Sequence, residues 1–403
     1  MSDYLPEAVI LEILKRLPVK SLVRFRSVCK TWNTLISHPS FISTHLQSSL
    51  SNNTPFLFIQ SVKGISFEFS WHYDNDGFDK FNQLQLPVFD CGSDSLVIGS
   101  VNGVICAQVF SYDNSLNFVL WNPSIQNYIP LPQPSIRDVV DLNIGFGFDS
   151  KTNDYKLLLV GVGVEDFSGN WINPCLFSLN QNCWKTLTAT IPPNYNFDAA
   201  YGATLPFVNG AFHWLGFQTG NRFSNAIMGF DLSIEEFMLI SLPESLIGSW
   251  SGSLSIFKYG ESSIAVQRLR HGELYELWVM KEYGVIESWT KVLTLSLATD
   301  PRYTWFPKVM GFRKNGEVLH VHNTKMASLD LNSQQMETSL DLNRRQMEFH
   351  GVEFGAELLS VHSYVESLVL LDKAVDVHSE SDVDHSMDSS DLDEWSGGEV
   401  DVA

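Results

Sequence analysis

The chain has 403 residues, 44% of them apolar and 12% aromatic, with 46 acidic side chains against 26 basic ones. That length has room for more than one domain, and a net charge of −20 is unsuited to a phosphate backbone, which is gripped through Lys and Arg. The longest apolar run, residues 157–164, falls far short of the 18 or so needed to span a bilayer, and the N-terminus lacks a basic-then-apolar export signal. Five cysteines without a C-x-x-C pair fit a reducing compartment. Cytoplasm or nucleus is the expected location, with no membrane, no nucleic acid and no cofactor.

From the N-terminus, residues 3–46 read as short helices separated by proline. Pro6 sits where a first turn tolerates it, while Pro18 and Pro39 interrupt the run. Helical spacing spreads Val9, Ile10, Leu11, Ile13, Leu14 and Leu17 over an arc roughly twice the 100° or so that packing on one small core requires. A unit of about 45 residues is also near the size at which a core stops being self-sufficient. Part of this apolar surface is therefore expected to face another protein.

The pattern Leu5-Pro6, Ile13-Leu14, Leu17-Pro18, Ser21-Leu22, Val28-Cys29-Lys30 and Trp32 resembles the F-box. That module docks substrate receptors on a Skp-type adaptor, and through it on the cullin and RING subunits of a ubiquitin ligase. The resemblance implies that Leu5, Pro6, Ile13, Leu14, Leu17, Pro18, Leu22 and Val28 lie at or near the adaptor contact, some of them filling the internal core. A plain helical cap on the next domain is the alternative. The segment is also the basic end of the chain, since residues 1–45 hold six Lys or Arg against three Asp or Glu.

Residues 47–54 are polar and turn-rich and read as a linker between the helical unit, residues 1–46, and the long β-rich region. From residue 55 the texture becomes β: short alternating runs such as 56–59 and 65–69, punctuated by Asn, Asp, Gly and Pro. Two series of turns recur. One passes through Asn122, Ser178, Asp231, Met280 and Asp330, in steps of 56, 53, 49 and 50 residues. The other, hairpin-like, runs Asn102-Gly103, Thr152-Asn153, Asn209-Gly210, Gly260-Glu261 and Asn315-Gly316. A period near fifty built from short strands points to propeller blades of the kelch size class. Residues 55–372 divide into six such blades, with strands from 55–75 expected to pair with strands from 350–371 and so close the ring. A pair of β-sandwiches with accidental periodicity is the alternative.

Several signatures of this region resemble the F-box-associated domain of plant receptors. They include Leu120-Trp121-Asn122-Pro123-Ser124, Gly147-Phe148-Asp149-Ser150, Val208-Asn209-Gly210-Ala211-Phe212-His213-Trp214 and Leu277-Trp278-Val279-Met280. The glycine doublet of true kelch repeats is absent, because the only Gly-Gly is Gly397-Gly398. Segments 280–285 and 363–371 are similar to S-locus F-box proteins, which recognise basic secreted ribonucleases. Residues 373–403, rich in Asp, Glu, Ser and His, are too polar to pack and read as a disordered acidic tail. The expected class is thus mainly β with a small α-helical N-terminal domain: F-box helices, a kelch-like β-propeller and a tail.

Catalytic motifs do not emerge. Gly248-Ser249-Trp250-Ser251-Gly252 has Trp where a hydrolase elbow needs Ser, and Gly161-Val162-Gly163 lacks the last glycine of a dinucleotide loop. His320 and His322 share a strand face without a third metal ligand at convincing spacing. Asp149, Asp154 and Asp231 occupy turn sequences in which Asp caps backbone. Trp121, Trp184, Trp214, Trp278, Trp289 and Trp305 are expected to pack between blades. The sequence thus describes a non-catalytic substrate receptor that binds an unknown client, a basic one where acidic charge aids recognition. An adaptor-bound scaffold and a propeller enzyme acting on carbohydrate or ester substrates are the alternatives.

Overall fold

The computed structural model describes residues 6–52, 56–63, 66–75, 80–84, 95–136, 139–163, 173–197, 205–270, 274–296, 308–331, 348–353 and 358–373, less 112, 114, 190, 193, 219, 323 and 324. Leu5, Trp305 and the acidic stretch 374–403 lie outside the described residues.

Four helices open the chain: α1 (Glu7–Leu14), α2 (Val19–Phe25), α3 (Lys30–Ser37) and α4 (Pro39–Asn52). Proline marks three of the starts. Pro6 and Pro18 are the N-caps of α1 and α2, at φ −55° and −59°, and Pro39 begins α4. A fixed φ near −65° suits a first turn, and the missing N–H is one that no helix start uses. The polar stretch read as a linker is largely helical, because α4 runs to Asn52. Phe41, Ile42, His45, Leu46 and Ser49 form one buried face of it, and that anchorage overrides the weak helix preference of Ser and Asn on the outer face.

Among the described residues the strands form six antiparallel sheets, the blades of a propeller. Blade 2 (Ser95–Val101, Val104–Val109, Asn117–Asn122, Asn127–Pro130) shows the plan, each strand pairing with the next from the axis outward. Blade 3 uses Val139–Asp149, Asp154–Gly163, Cys175–Ser178 and Cys183–Thr186. Blade 4 splits its inner edge between Tyr195–Phe197 and Phe207–Val208, then adds Ala211–Gln218, Asn221–Asp231 and Glu236–Ile240. Blades 5 and 6 begin at Leu254–Tyr259 and Lys308–Phe312. Blade 1 is composite. Its three outer strands, Phe56–Lys63, Ser66–Tyr73 and Lys80–Leu84, come from the start of the domain, while the innermost, Leu358–Tyr364, comes from its end. The register Phe56↔Tyr364 and Phe58↔His362 closes the ring as the periodicity implied.

Both recurrent turn series lie at one rim. The hairpins at 102–103, 152–153, 209–210, 260–261 and 315–316 join first to second strands, and the turns after Asn122, Ser178, Asp231, Met280 and Leu329 leave third strands. Antiparallel strands bring these two connection types to the same end. Asn102, Asn153 and Asn209 sit at φ between 51° and 53°, the left-handed conformation that such tight hairpins require. The carboxylates cap turns. Asp149 accepts from Lys151 N and Thr152 Oγ1, and Asp231 from Ser233 N and Ile234 N.

Apolar clusters fill the seams between blades, and Trp121, Trp214 and Trp289 are buried in them. Trp184 of blade 3 packs on Phe118 of blade 2 and donates to Pro132 O at 2.6 Å. Polar ties add specificity to the seams. Lys156 Nζ bonds both Asp149 (2.8 Å) and Leu232 O (3.1 Å), and Ser233 Oγ donates to Asp149, joining blades 3 and 4. Burial acts against ionisation of Asp149, but donation from Lys156, Thr152 and Ser233 prevails and holds its carboxyl below the usual range. Arg313 bonds Asp74 at 2.7 Å and closes the seam from blade 6 to blade 1.

Candidate functional site

The four helices sort their apolar residues into two sets. Leu14, Val19, Leu22, Ile36, Phe41, Ile42 and Leu46 form the interior. Phe25 and Trp32 pack against each other beside it in a tilted pair at 5.3 Å, and His45 Nε2 meets Leu17 O at 3.0 Å, tying α4 to the turn before α2. Facing out are Val9 and Ile13 on α1, 41% and 48% exposed, and Val28 before α3, 63% exposed. Pro6 and Pro18 are also exposed, and Leu17 is half-buried. Of the residues that the F-box resemblance places at or near the adaptor, Pro6, Ile13, Leu17, Pro18 and Val28 thus retain accessible surface. Leu14 and Leu22 are 2% and 0% exposed and so belong to the part of that set that fills the internal core. Val9 joins the outward set; it lies one turn before Ile13, so the period of 3.6 residues already placed the two side by side.

Charged side chains share these helices with the apolar surface. Glu12 pairs with Lys15 (2.5 Å) and Arg16 (3.0 Å), and the Lys15 hydrogen bond leads in keeping its carboxyl below the ordinary range. Lys20, Arg24 and Lys30 are exposed.

The segment after the closing strand ties the helices to the propeller. It runs beneath the blade 2 turns, where Asn122 Nδ2 donates to Ser367 O (2.9 Å) and Val369 O (2.7 Å) and Asn127 Nδ2 donates to Leu370 O (2.9 Å). Tyr364 OH and Ser124 N both donate to Asn122 Oδ1. Leu368, Val369, Leu370 and Leu371 then enter the same apolar cluster as Leu14, Leu22 and Phe41. Glu366, its pKa raised by burial, is opposed in this by the field of Lys20 from α2. The helices therefore sit at the rim bearing the recurrent turns.

The opposite rim holds features that the sequence did not single out. Phe223, Ile247 and Trp250 are 56%, 55% and 48% exposed, at the blade 4 hairpin and on the connection to blade 5. They are held rigidly. Gly248 N donates to Phe223 O, Asn225 Nδ2 to Ser249 O, and the buried Arg268 to Ser245 O at 2.6 Å while paired with Glu276. The Gly/Ser character of 248–252 marked a loop but not the display of its central Trp. Phe67 and Phe110 stack at 6.4 Å on the same rim, across blades 1 and 2.

No group of three or more His, Cys, Asp or Glu able to hold a metal occurs among the described residues, nor does any helix among them have the length and apolarity to cross a membrane. The most deeply buried titratable groups are paired or neutral: His213 meets Tyr283 OH at 2.7 Å, and burial lowers its pKa to about 4.

An N-terminal helical unit with an outward apolar face, tied to a six-bladed propeller, defines the class of F-box proteins with a propeller domain. The family description "F-box domain" matches residues 3–44, and "F-box associated beta propeller domain" matches residues 50–344. The chain belongs to this family. It is similar to F-box protein CPR1 of Arabidopsis thaliana, 27% identical over 83% of this chain and 84% of that one. It is also similar to an F-box/kelch-repeat protein of the same plant, 28% identical over 73% and 80% of the two chains. A third Arabidopsis F-box protein is 26% identical over 97% of this chain and 96% of its own length.

Proposed function

We propose that this protein is the substrate-recognition subunit of an SCF-type ubiquitin ligase. The helical unit binds a Skp-type adaptor, and through it the cullin and RING subunits, while the propeller holds a client protein. The observation that carries this reading is the uncovered apolar face formed by Pro6, Val9, Ile13, Pro18 and Val28. The helical core and the 365–371 segment satisfy the inner side of the same unit and leave that face to a second chain. Fully burying an aliphatic side chain of this size is worth about 1.5–3 kcal/mol, so three half-exposed ones supply several kcal/mol to a complex.

The chain contributes no bond chemistry in this role. It raises the local concentration of client lysines beside a ubiquitin-loaded enzyme, a proximity effect. The client is held at the rim opposite the helices, where Phe223, Ile247 and Trp250 project from a pinned loop. Hot spots favour such rigid aromatic anchors. The acidic excess of the propeller favours a basic client, as a ribonuclease of the S-locus kind would be.

Retention of a purified Skp-type adaptor tests the docking step. Ile13→Asp with Val28→Asp should abolish retention while the far-UV spectrum and melting curve stay those of the parent. Undiminished retention by that folded double variant would remove the assignment.

A further inference from the structure

The outermost strand of a propeller blade has no neighbour on one side, and such an edge invites pairing with another chain unless charge, proline or brevity blunts it. Among the described strands, five of the six outermost ones carry such a device. That of blade 2 ends on Pro130, and that of blade 3 has four residues, Lys185 among them. Lys80 opens the strand of blade 1, Lys291 lies within that of blade 5, and Glu348 and Glu353 bracket that of blade 6. Blade 4 differs. Its outermost strand, Glu236-Phe237-Met238-Leu239-Ile240, has no Lys, Arg or Pro, and its one charge stands at the first position.

This strand is open and rigidly held. Among the described residues no strand pairs with its outer side. Leu239 is 45% exposed, as is Ile234 of the preceding turn at 58%. Phe237, on the same face of the strand as Leu239, packs on Phe230 at 5.0 Å and on Trp214 at 6.0 Å. Ile240 is buried in the seam to blade 5. Met238 lies so close over its pairing residue Gly229 that a Cβ there would come within 2.9 Å of the Met238 Cγ. Every second residue of an antiparallel edge strand turns its N–H and C=O away from the sheet. The edge therefore offers a preset row of donors and acceptors beside exposed apolar side chains.

We infer that the outermost strand of blade 4 pairs with the same strand of a second copy of this chain. Antiparallel pairing about a two-fold axis at Met238 opposes Met238 with Met238, Phe237 with Leu239 and Glu236 with Ile240. This self-fit is the argument for a second copy. The two Glu236 carboxylates stay at opposite ends of the join, about 14 Å apart at 3.4 Å per residue, each opposite an apolar residue. Each Leu239 gains an aromatic residue across the join, and such cross-strand pairs are the unit that stabilises a sheet. One patch serves both sides, as a two-fold interface requires. Five residues bury little area, so the dimer is weak and concentration-dependent. Antiparallel pairing also inverts one copy relative to the other, which sets the helix-bearing rim of each beside the opposite rim of the second.

Disulfide trapping of the full chain tests the register. The background carries Cys29→Ser, Cys91→Ser and Cys183→Ser, with Ile13→Asp and Val28→Asp added to silence the helical face. In it, Met238→Cys should form an intermolecular disulfide under mild oxidation, because directly opposed residues have Cα atoms about 4.5–5.5 Å apart, within a disulfide's reach. Glu236→Cys, which faces Ile240 instead of itself, should stay largely reduced. Equal trapping at the two positions, or none at 238, overturns the inference. Sedimentation velocity of the same background without an added cysteine should show a monomer–dimer equilibrium across the micromolar range. Leu239→Lys should weaken that equilibrium severalfold with an unchanged melting curve. A dimer that Leu239→Lys leaves intact overturns the proposal. So does a chain that is monomeric at every concentration, which would leave the edge to an extended segment of a client. These measurements use neither adaptor nor client, so their failure leaves the receptor reading standing.

Discussion

Replacing Asn122 by alanine removes the hub that fixes the C-terminal segment beneath blade 2. The side chain is fully buried, donates to the carbonyls of Ser367 and Val369, and accepts from Ser124 N and Tyr364 OH. Alanine leaves two carbonyls and one N–H without partners in a site closed to solvent. Each buried unsatisfied group costs about 1–3 kcal/mol; with some relaxation, a total loss of about 3–5 kcal/mol is expected. That is a large fraction of the 5–15 kcal/mol by which a domain is typically stable. Urea unfolding followed by tryptophan fluorescence measures the loss. Native-state hydrogen exchange should show the amides of Val369 and Leu371 opening far more readily, since both belong to the segment that Asn122 holds. The half-buried Asn117, whose amide donates to Ser115 and accepts from Gln133, is the control, and its alanine variant should lose less than about 1 kcal/mol. A loss below about 1 kcal/mol for Asn122→Ala as well would refute the view that this hub joins helices to propeller.

Gly103→Ala and Gly210→Ala separate crowding from backbone strain, for both glycines have φ +78°. A Cβ at Gly210 meets nothing, so only the left-handed penalty of about 1–2 kcal/mol applies. At Gly103 it would lie 2.4 Å from Ser367 Oγ and Val365 O, so this variant should melt well below the other. Acid should destabilise the propeller through His213 and His362, each buried and lowered by burial from 6.5 to about 4. The unfolded chain binds their protons first, so stability is complete above about pH 6.5 and falls as pH drops toward 4, by roughly 3 kcal/mol per histidine. A His362→Phe variant should flatten that slope in urea titrations at pH 7 and 5, and an unchanged slope would count against it. Leu22→Asp should unfold the helical unit by putting a charge into its core, as circular dichroism would show. Trp250→Ser should leave the melting temperature within a degree or two and lower only client retention.

The chain order determined much of this protein before any contact was known. A helix whose apolar residues outnumber the positions facing one small core must offer some of them to a partner. Turns such as Asn102-Gly103 and Asn209-Gly210 recur near every fifty residues because each blade must reverse its chain in the same local way. Those signals are local, set by side-chain period and by the few residues that accept a left-handed backbone. Assignments that depend on distant partners were not legible. Leu14 and Leu22 look like their outward neighbours, and only packing against Ile36, Phe41 and the 368–371 segment turned them inward. Residues 47–52 carry the composition of a linker, yet a buried face beginning at Phe41 drew them into α4. Trp250 stood in a Gly/Ser stretch that read only as a loop, and hydrogen bonds from Asn225 and Arg268 fix that loop on the rim away from the helices. Periodicity records what a residue does with its neighbours in the chain; which of two equivalent apolar side chains is covered depends on partners hundreds of residues away, and the tertiary structure alone decides it.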